Sequence, residues 1–451
     1  MRQNWLEDRS SAAQFGRNKL IEASIRTDLN GPVVNPSAAY NVNLRHLNVF
    51  LSVAAEGEIS SAAESLYRVS SAVTRTISEL EHSVGVTLFD RRPRGVLLNG
   101  FGTAVLERTK RIEIEFTALR DELSEKDVDR IKDPRSLFNV AFNGRRLAVI
   151  AGLADGHNMQ AIARQFSITQ PAVSLAVKEF EARLGTSLFH RSAKGVTPTQ
   201  IGEIVAFRSK RVLAELRHVA SDIAALQGTL VGQITVGALP LCRTLILPSA
   251  IAALVKRHPQ LRVLTVESPY EALVASLRSG DIDVIVGALR PVKGSGDLQQ
   301  EPLFVDRLSL IVRAGHPIAT KKLSFKQLHE ASWALSRQGS PARELFENAF
   351  RAAGQPCPFP AVETGDLALL RGLLQESDMV TAISAEQLHY EIKAGTLIEL
   401  DFALTGTARD IGLAQRAGAR ASPGTLALMG EIRAVVGRHT PPASIVERAA
   451  R

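Results

Sequence analysis

Between residues 44 and 226 the apolar positions fall at helical spacing, and they do so in two similar blocks. In the first block a helix begins near Leu47, a short one covers 60–66, and a third covers 71–84 and stops at Gly85. The second block repeats the plan from near Leu147, with helices over 160–166 and 171–184 and a stop at Gly185. Glycine at a helix end relieves the strain of a left-handed cap, and Pro171 suits a first turn, where its missing N–H has no partner to lose. A loop and then a long helix follow in each block. Val105, Ile112, Phe116, Leu119 and Leu123 form an apolar stripe on one long helix. Val205, Val212, Leu216, Val219, Ile223 and Leu226 form the stripe on the other. Steps of three, four and seven residues mark the seam of a helix pair rather than a helix lying on a broad core.

Past Gly228 and Gly232 the pattern changes to short apolar runs separated by helical stretches. Residues 234–236, 261–266, 284–286, 308–312 and 380–383 read as strands, and 245–257, 270–279, 341–353 and 366–376 as helices. Such alternation predicts a mostly parallel sheet covered on both faces, here in a two-lobed α/β domain with a ligand cleft.

The two helical blocks are copies at an offset of 100 residues. Gly85, Leu88-Phe89, Arg91, Gly95-Val96 and Gly102 return as Gly185, Leu188-Phe189, Arg191, Gly195-Val196 and Gly202. Ala63, Val73, Glu79 and Glu81 return as Ala163, Val173, Glu179 and Glu181. A constant register on glycines, arginines and helix-face residues marks a duplicated module. The expected domains are an extension over 1–43, modules over 44–124 and 144–228 joined by a linker over 125–143, an α/β domain over 229–440 and a tail over 441–451. Within the α/β domain, lobe 1 takes about 233–299 and 409–440, and lobe 2 about 300–408.

Charge and cysteine content narrow the function. A net charge of +8 favours a nucleic-acid partner only where the positive residues cluster. Cys242 and Cys357 stand apart with no metal-ligand spacing, which fits a reducing compartment and predicts neither metal nor cofactor. No apolar run reaches membrane-spanning length and no secretory pattern opens the chain, so a cytoplasmic location without membrane contact is expected.

The positive residues do cluster. Three helices with a short turn before the third match a helix-turn-helix, whose last helix enters the major groove. Arg91, Arg92 and Arg94 follow that helix in module one, and Arg191 and Lys194 in module two. A hairpin wing there sets cations against phosphates, which supplies affinity but no sequence choice. Choice falls to the start of the third helix: Ser70, Ser71, Thr74, Arg75 and Ser78 in one copy, Gln170, Pro171, Ser174, Leu175 and Lys178 in the other. Arg75 suits guanine, Gln170 suits adenine, and Leu175 offers only apolar contact. Thr197 and Thr199, at the base of the second wing, complete the candidate DNA contacts.

The stretch TQPAVSLAVKEFEARLGTSLFHRSAKGVTPTQIGE (169–203) closely resembles the DNA-binding signature of LysR-type transcriptional regulators. Residues 228–232, LRSGDIDVIVGA (277–288) and VRAGHPIA (312–319) resemble later landmarks of that family. The resemblance implies a winged helix-turn-helix, a dimerising linker helix and a periplasmic-binding-protein-like effector domain. It thus implies duplex promoter DNA and a small-molecule effector as partners. A homodimer or homotetramer built through the linker helices, and RNA polymerase, follow from it as further candidate partners. Module one departs from the pattern, with Ser70-Ser71 and Leu97-Leu98-Asn99 where module two has Gln170-Pro171 and Thr197-Pro198-Thr199. That leaves open a different site, weak contact or a scaffold role for module one, and pairing of the long helices within or between chains.

By analogy with the family, the cleft residues are Leu241, Arg243, Thr244 and Ser268 in lobe 1, and Ser336, Arg337, Ser340, Thr364 and Asp366 in lobe 2. Arg243 is placed to clamp a carboxylate, which points to a small organic acid, and Ser268 doubles as a candidate helix cap. Three alternatives remain: a solute-binding protein, an α/β enzyme and a constitutive nucleoid-type DNA binder. The first lacks a reason to carry two basic modules. The second finds no Walker loop, GxSxG, HExxH or strand-following GxGxxG, so no catalytic residue is expected.

Overall fold

The computed structural model describes residues 42–439, apart from Arg94, 193–194, 292–295 and 321–322. The expected tail lies outside the described residues, as does the expected extension except for Val42 and Asn43.

Module one comprises α1 (Leu44–Glu56), α2 (Ile59–Ser65), α3 (Ser70–Val84), the hairpin β1 (Phe89–Arg91) and β2 (Val96–Leu98), and the long α4 (Gly100–Ser124). A short helix, α5 (Ser136–Ala141), leads into module two. That module comprises α6 (Gly144–Ala154), α7 (Met159–Gln165), α8 (Gln170–Leu184), the hairpin β3 (Phe189–Ser192) and β4 (Gly195–Pro198), and α9 (Gln200–Leu226). The recurrent residues do matched work. α3 and α8 both close on a left-handed glycine, Gly85 and Gly185, each at φ 77°. Glu81 and Glu181 each accept the amide of the residue that opens the wing, Leu88 at 2.7 Å and Leu188 at 2.8 Å. Gly102 and Gly202 let the long helix start against the carbonyl of Leu88 or Leu188, which a Cβ would meet at 2.1 or 2.0 Å. Asn99 and Thr199 cap those helices by accepting from the amides of Gly102 and Gly202. The substitution of Asn99 for threonine therefore leaves the helix start unchanged.

The long helices pack on each other within the one chain. All five stripe residues of α4 are buried, as are Val205, Val212, Leu216, Val219 and Ile223 of α9. Leu226, expected to continue the stripe, is instead 54% exposed, so the seam ends at Ile223. The segment 125–143, read as a linker, is part of this core. Ile131, Leu137, Phe138, Val140 and Ala141 are buried, and the Phe138 ring meets that of Phe116 edge-on at 4.9 Å. Its apolar run is too short, behind Pro134, to show a helical period. An isolated antiparallel bridge joins Asn43 to Asn143, the capping residues of α1 and α6.

The remaining chain forms two lobes. Lobe 1 holds β5 (Gly232–Ala238), α10 (Ile246–Arg257), β6 (Leu261–Val266), α11 (Tyr270–Ser279), β7 (Val284–Ala288) and β8 (Leu298–Asp306). Lobe 2 holds β9 (Ser309–Arg313), α12 (Phe325–Glu330), β10 (Ser332–Leu335), α13 (Pro341–Ala352), β11 (Val362–Glu363), α14 (Leu367–Glu376), β12 (Met379–Ile383), α15 (His389–Lys393) and β13 (Leu397–Glu399). The chain then returns to lobe 1 through β14 (Arg409–Arg416) and α16 (Pro423–His439). The sheet orders are β6-β5-β7-β14-β8 and β11-β10-β12-β9-β13.

In each sheet four of the five strands run the same way, as expected, and one strand is reversed. β14 runs antiparallel to both β7 and β8, and β9 antiparallel to both β12 and β13. The reversed strands are the first ones after each change of lobe, β9 after β8 and β14 after β13, where the chain enters the sheet without a helical crossover inside it. Since β8 belongs to the lobe 1 sheet, the crossover lies after Asp306 rather than at 299.

Candidate nucleic-acid interface

The third helices present the expected faces. Ser70, Ser71, Arg75 and Ser78 on α3 are exposed, with Thr74 half-buried and its hydroxyl donating to the Ser70 carbonyl at 2.9 Å. On α8, Gln170, Pro171, Leu175 and Lys178 are exposed and Ser174 is half-buried. The helix interiors are held by Val73, Ile77 and Leu80 in one module and by Val173, Val177 and Phe180 in the other. The wing strands pair Phe89 with Leu98 and Arg91 with Val96, and at matched positions Phe189 with Pro198 and Arg191 with Val196. Arg91, Arg92, Arg191 and Thr197 are exposed on those wings, while Arg94 and Lys194 lie outside the described residues. Thr199 is the exception among the expected contacts. Its hydroxyl caps α9 and reaches the Ser187 carbonyl at 3.0 Å, so its task is structural.

The two faces are alike in backbone and unlike in chemistry. Tyr67 and Ser167 share a left-handed φ of 52° in the turn before the third helix, but Tyr67 is 97% exposed and aromatic. Val69, at the N-cap of α3, makes no side-chain cap bond, whereas Thr169 accepts from the Ala172 amide at 3.4 Å. Exposed Leu97 replaces Thr197 on the wing. The Arg75 guanidinium sits 2.8 Å from Glu79, and its hydrogen bond lowers the Glu79 pKa below the usual carboxylate value. Glu179, the counterpart of Glu79, pairs with Arg146 of α6, and the counterpart of Arg146, His46, lies 3.4 Å from Glu79. Tyr67 and Val69 did not stand out in the sequence, because their exposure follows only from the turn that carries them.

Behind the faces lies an ionic seam that no sequence motif announced. Wholly buried Arg108 on α4 meets Asp222 at 2.8 Å and Glu215 at 2.9 Å on α9. Arg208 on α9 meets Glu115 at 2.8 Å on α4 and also pairs with Glu122 there. Each pair recurs with the modules exchanged, so the helices run antiparallel and are related by an approximate two-fold axis. Lobe 1 touches this seam through the last residue of β14 and the segment after it. Arg416 reaches Glu115 at 3.3 Å and Glu215 at 3.4 Å, the Arg420 carbonyl accepts from Arg108 at 2.7 Å, and the Gly418 carbonyl accepts from Arg111. His218 on α9 lies 3.3 Å from Asp283, beside a cavity of about 30 Å³ that Arg416 and Arg420 also line. Burial alone raises the Asp283 pKa. His218, the Thr235 amide and Arg217 outweigh it and hold the carboxyl below its usual value.

The cleft residues divide. Leu241 is buried in the lobe 1 core and is not a surface contact. Ser340 caps α13 and Asp366 caps α14, while buried Thr364 accepts the Asp366 amide at 3.0 Å. Thr244 donates to the Gln387 carbonyl across the lobes at 3.0 Å. Arg243 donates to the Ala238 carbonyl at 2.9 Å, and partial burial of its guanidinium lowers its pKa against the pull of Glu267. Ser268 is not the cap of α11, since Pro269 holds that position. Ser268, Ser336 and Arg337 make no side-chain hydrogen bond among the described residues.

Comparison with known proteins accounts for most of the chain. Residues 227–437 match the LysR substrate binding domain. Residues 44–103 and 145–203 each match the bacterial regulatory helix-turn-helix of the LysR family. The HTH-type transcriptional regulator GalR of Pseudomonas putida is 45% identical over 394 residues, covering 87% of this chain and 97% of that protein. An alignment of that length does not fit after residue 144 and takes in part of module one. The uncharacterized HTH-type regulator YdcI of Escherichia coli is 27% identical over 67% of this chain and 98% of its own. Full-length OxyR of Pseudomonas aeruginosa shares the fold at a TM-score of 0.50 and 23% identity, over 65% of this chain and 94% of that one. The chain belongs to the LysR family of transcriptional regulators.

Proposed function

We propose that both modules read duplex DNA in a sequence-specific way, and that a small organic acid in the cleft between the lobes modulates the binding. The observation that supports this best is the pair of exposed third-helix faces, flanked by a wing with exposed Arg91 and Arg92 in one module and a wing with exposed Arg191 in the other. Arg91, Arg92 and Arg191 bind phosphates and set affinity, while the helix faces read base edges in the major groove. Arg75 takes guanine once it leaves Glu79 for the groove. Gln170 takes adenine, and Leu175 packs on a thymine methyl.

In the cleft, Arg243 with Ser268, Ser336 and Arg337 forms the set that suits an anionic ligand. Closure of the lobes is transmitted through β14 to the Arg416–Arg420 segment and from there to both long helices. Such coupling requires a ligand that favours one arrangement over the other, commonly by about 1–3 kcal/mol.

The test is a footprint of the full chain on its own upstream DNA across a salt series, with and without candidate acids. Protection over two spaced patches that fades steeply with salt is expected. Protection of one patch only assigns module one to the scaffold, and an unchanged footprint with every acid removes the effector reading.

A further inference from the structure

We infer that a single chain is a complete two-half DNA reader, and that its target is a pair of inverted but unlike half-sites about one helical turn apart. This rests on the reading of both modules as DNA binders and goes further, to stoichiometry and the form of the target.

The first support is the seam. The linker-helix surface of α4 is covered by α9 of the same chain, from Arg108 facing Asp222 to Glu122 facing Arg208. No second chain's long helix is needed to bury either stripe or to neutralise either charge cluster. The approximate two-fold that oligomers obtain from two identical chains is here built between two copies in one chain.

The second support is dimension. Helices of 25 and 27 residues are about 38–40 Å long. Running antiparallel, they place their N-terminal ends, where the two wings join, about that far apart. Helix-turn-helix pairs engage successive major grooves one turn, about 34–36 Å, apart.

The third support is divergence at matched backbone positions. The closing glycines and the wing tethers are the same in both modules, so the third helices stand alike on their scaffolds. What differs is what faces the groove: Arg75 against Leu175, Tyr67 against Ser167, and Leu97 against Thr197. A symmetric pair reads a palindrome, because both readers are the same. This pair carries a guanidinium on one side where the other offers only methyl groups, so a palindrome satisfies one half and frustrates the other.

The experiment selects duplexes from a random-sequence pool with the full chain at low salt, then measures affinity and complex mass on the winner. Enrichment of two unlike, inverted half-sites is expected, with one chain occupying each pair. Duplexes made symmetric by doubling either half should bind at least about tenfold more weakly. Two variants complete the test, one carrying Arg75→Ala and Arg91→Ala, the other Gln170→Ala and Arg191→Ala. All four side chains are exposed, so folding is not at stake. Each variant should lose selection in one half only, and mixing the two should not restore wild-type affinity. A palindromic winner, a winner with a single half-site, or full restoration on mixing overturns the inference while leaving DNA binding intact. Failure to enrich any duplex overturns the reading of the modules as DNA binders, and the inference with it.

Discussion

Replacing Arg108 by methionine isolates the seam from DNA and ligand alike. The guanidinium has five N–H donors, and the structure gives each an acceptor. Nε and Nη2 hold the two oxygens of Asp222 at 2.8 and 3.2 Å, and Nη1 holds Glu215 at 2.9 Å. The carbonyls of Arg420 and Ala421 take the remaining two at 2.7 and 3.4 Å. Methionine fills much of the volume and supplies none of this. Among the described residues Glu215 then keeps only Arg416 at 3.4 Å, and Asp222 only Arg420 at 4.0 Å, with both carboxylates still buried. Removing one partner of a buried ion pair costs about 3–5 kcal/mol, chiefly because the remaining charge stays buried. For a folding unit the size of the paired modules that corresponds to a fall in Tm of about 10 °C. Thermal and urea unfolding of the full chain measure it. The same replacement at Arg208, whose partner Glu122 is 34% exposed, should cost about half as much or less. Equal losses at both positions, or a loss at Arg108 under about 1 kcal/mol, would refute the reasoning, because burial is what separates the two sites.

Gly202→Ala drives a Cβ into the Leu188 carbonyl and should cost about 1–3 kcal/mol in urea unfolding, whereas Gly100→Ala, with open space around it, should be near neutral. Val69→Thr supplies the hydroxyl cap that α3 lacks and should stabilise the chain by up to about 1 kcal/mol, measured the same way. The Asp283 carboxyl is held below its ordinary value of 3.8, so its contribution to stability is present above that pH and lost as pH falls through the lower, folded-state value. Unfolding measured from pH 6 down to about pH 2 should therefore show a steeper loss in wild type than in Asp283→Asn. Arg191→Ala should weaken binding to all sequences alike and reduce the salt slope by about 0.9, whereas Gln170→Ala should relax preference at one base pair by about 1–3 kcal/mol. A change of specificity at Arg191 with an unchanged slope would show that the wing does not hold phosphate.

Local features were legible because local residues encode them. Gly85 and Gly185 end their helices as their position implied, and the 3-4 stripes mark the faces that pair. The reason for Gly102 and Gly202 was not legible, since the Leu88 and Leu188 carbonyls they clear lie beyond a hairpin. Arg108 and Asp222 are 114 residues apart, and nothing local marks two charges among many as partners. The same limit hid β8, β13 and β14, whose pairing partners come from distant parts of the chain. In the cleft, Thr364 and Asp366 had the residue types of ligand contacts and proved to serve their own loop and helix. Capping and ligand binding draw on the same short polar side chains, so composition alone does not separate them.

In an assembly of identical chains, one altered codon changes both sides of the axis at once. Here the two sides are written separately. Arg111 and Arg211 show the result: the first reaches the Gly418 carbonyl and the second pairs with Glu115 at 2.6 Å. A mutation tolerated on one side need not be tolerated on the other, and a lost contact can be compensated without disturbing its mirror image. Duplication within the chain thus frees each half to adapt to its own neighbours, with no requirement that both remain self-complementary.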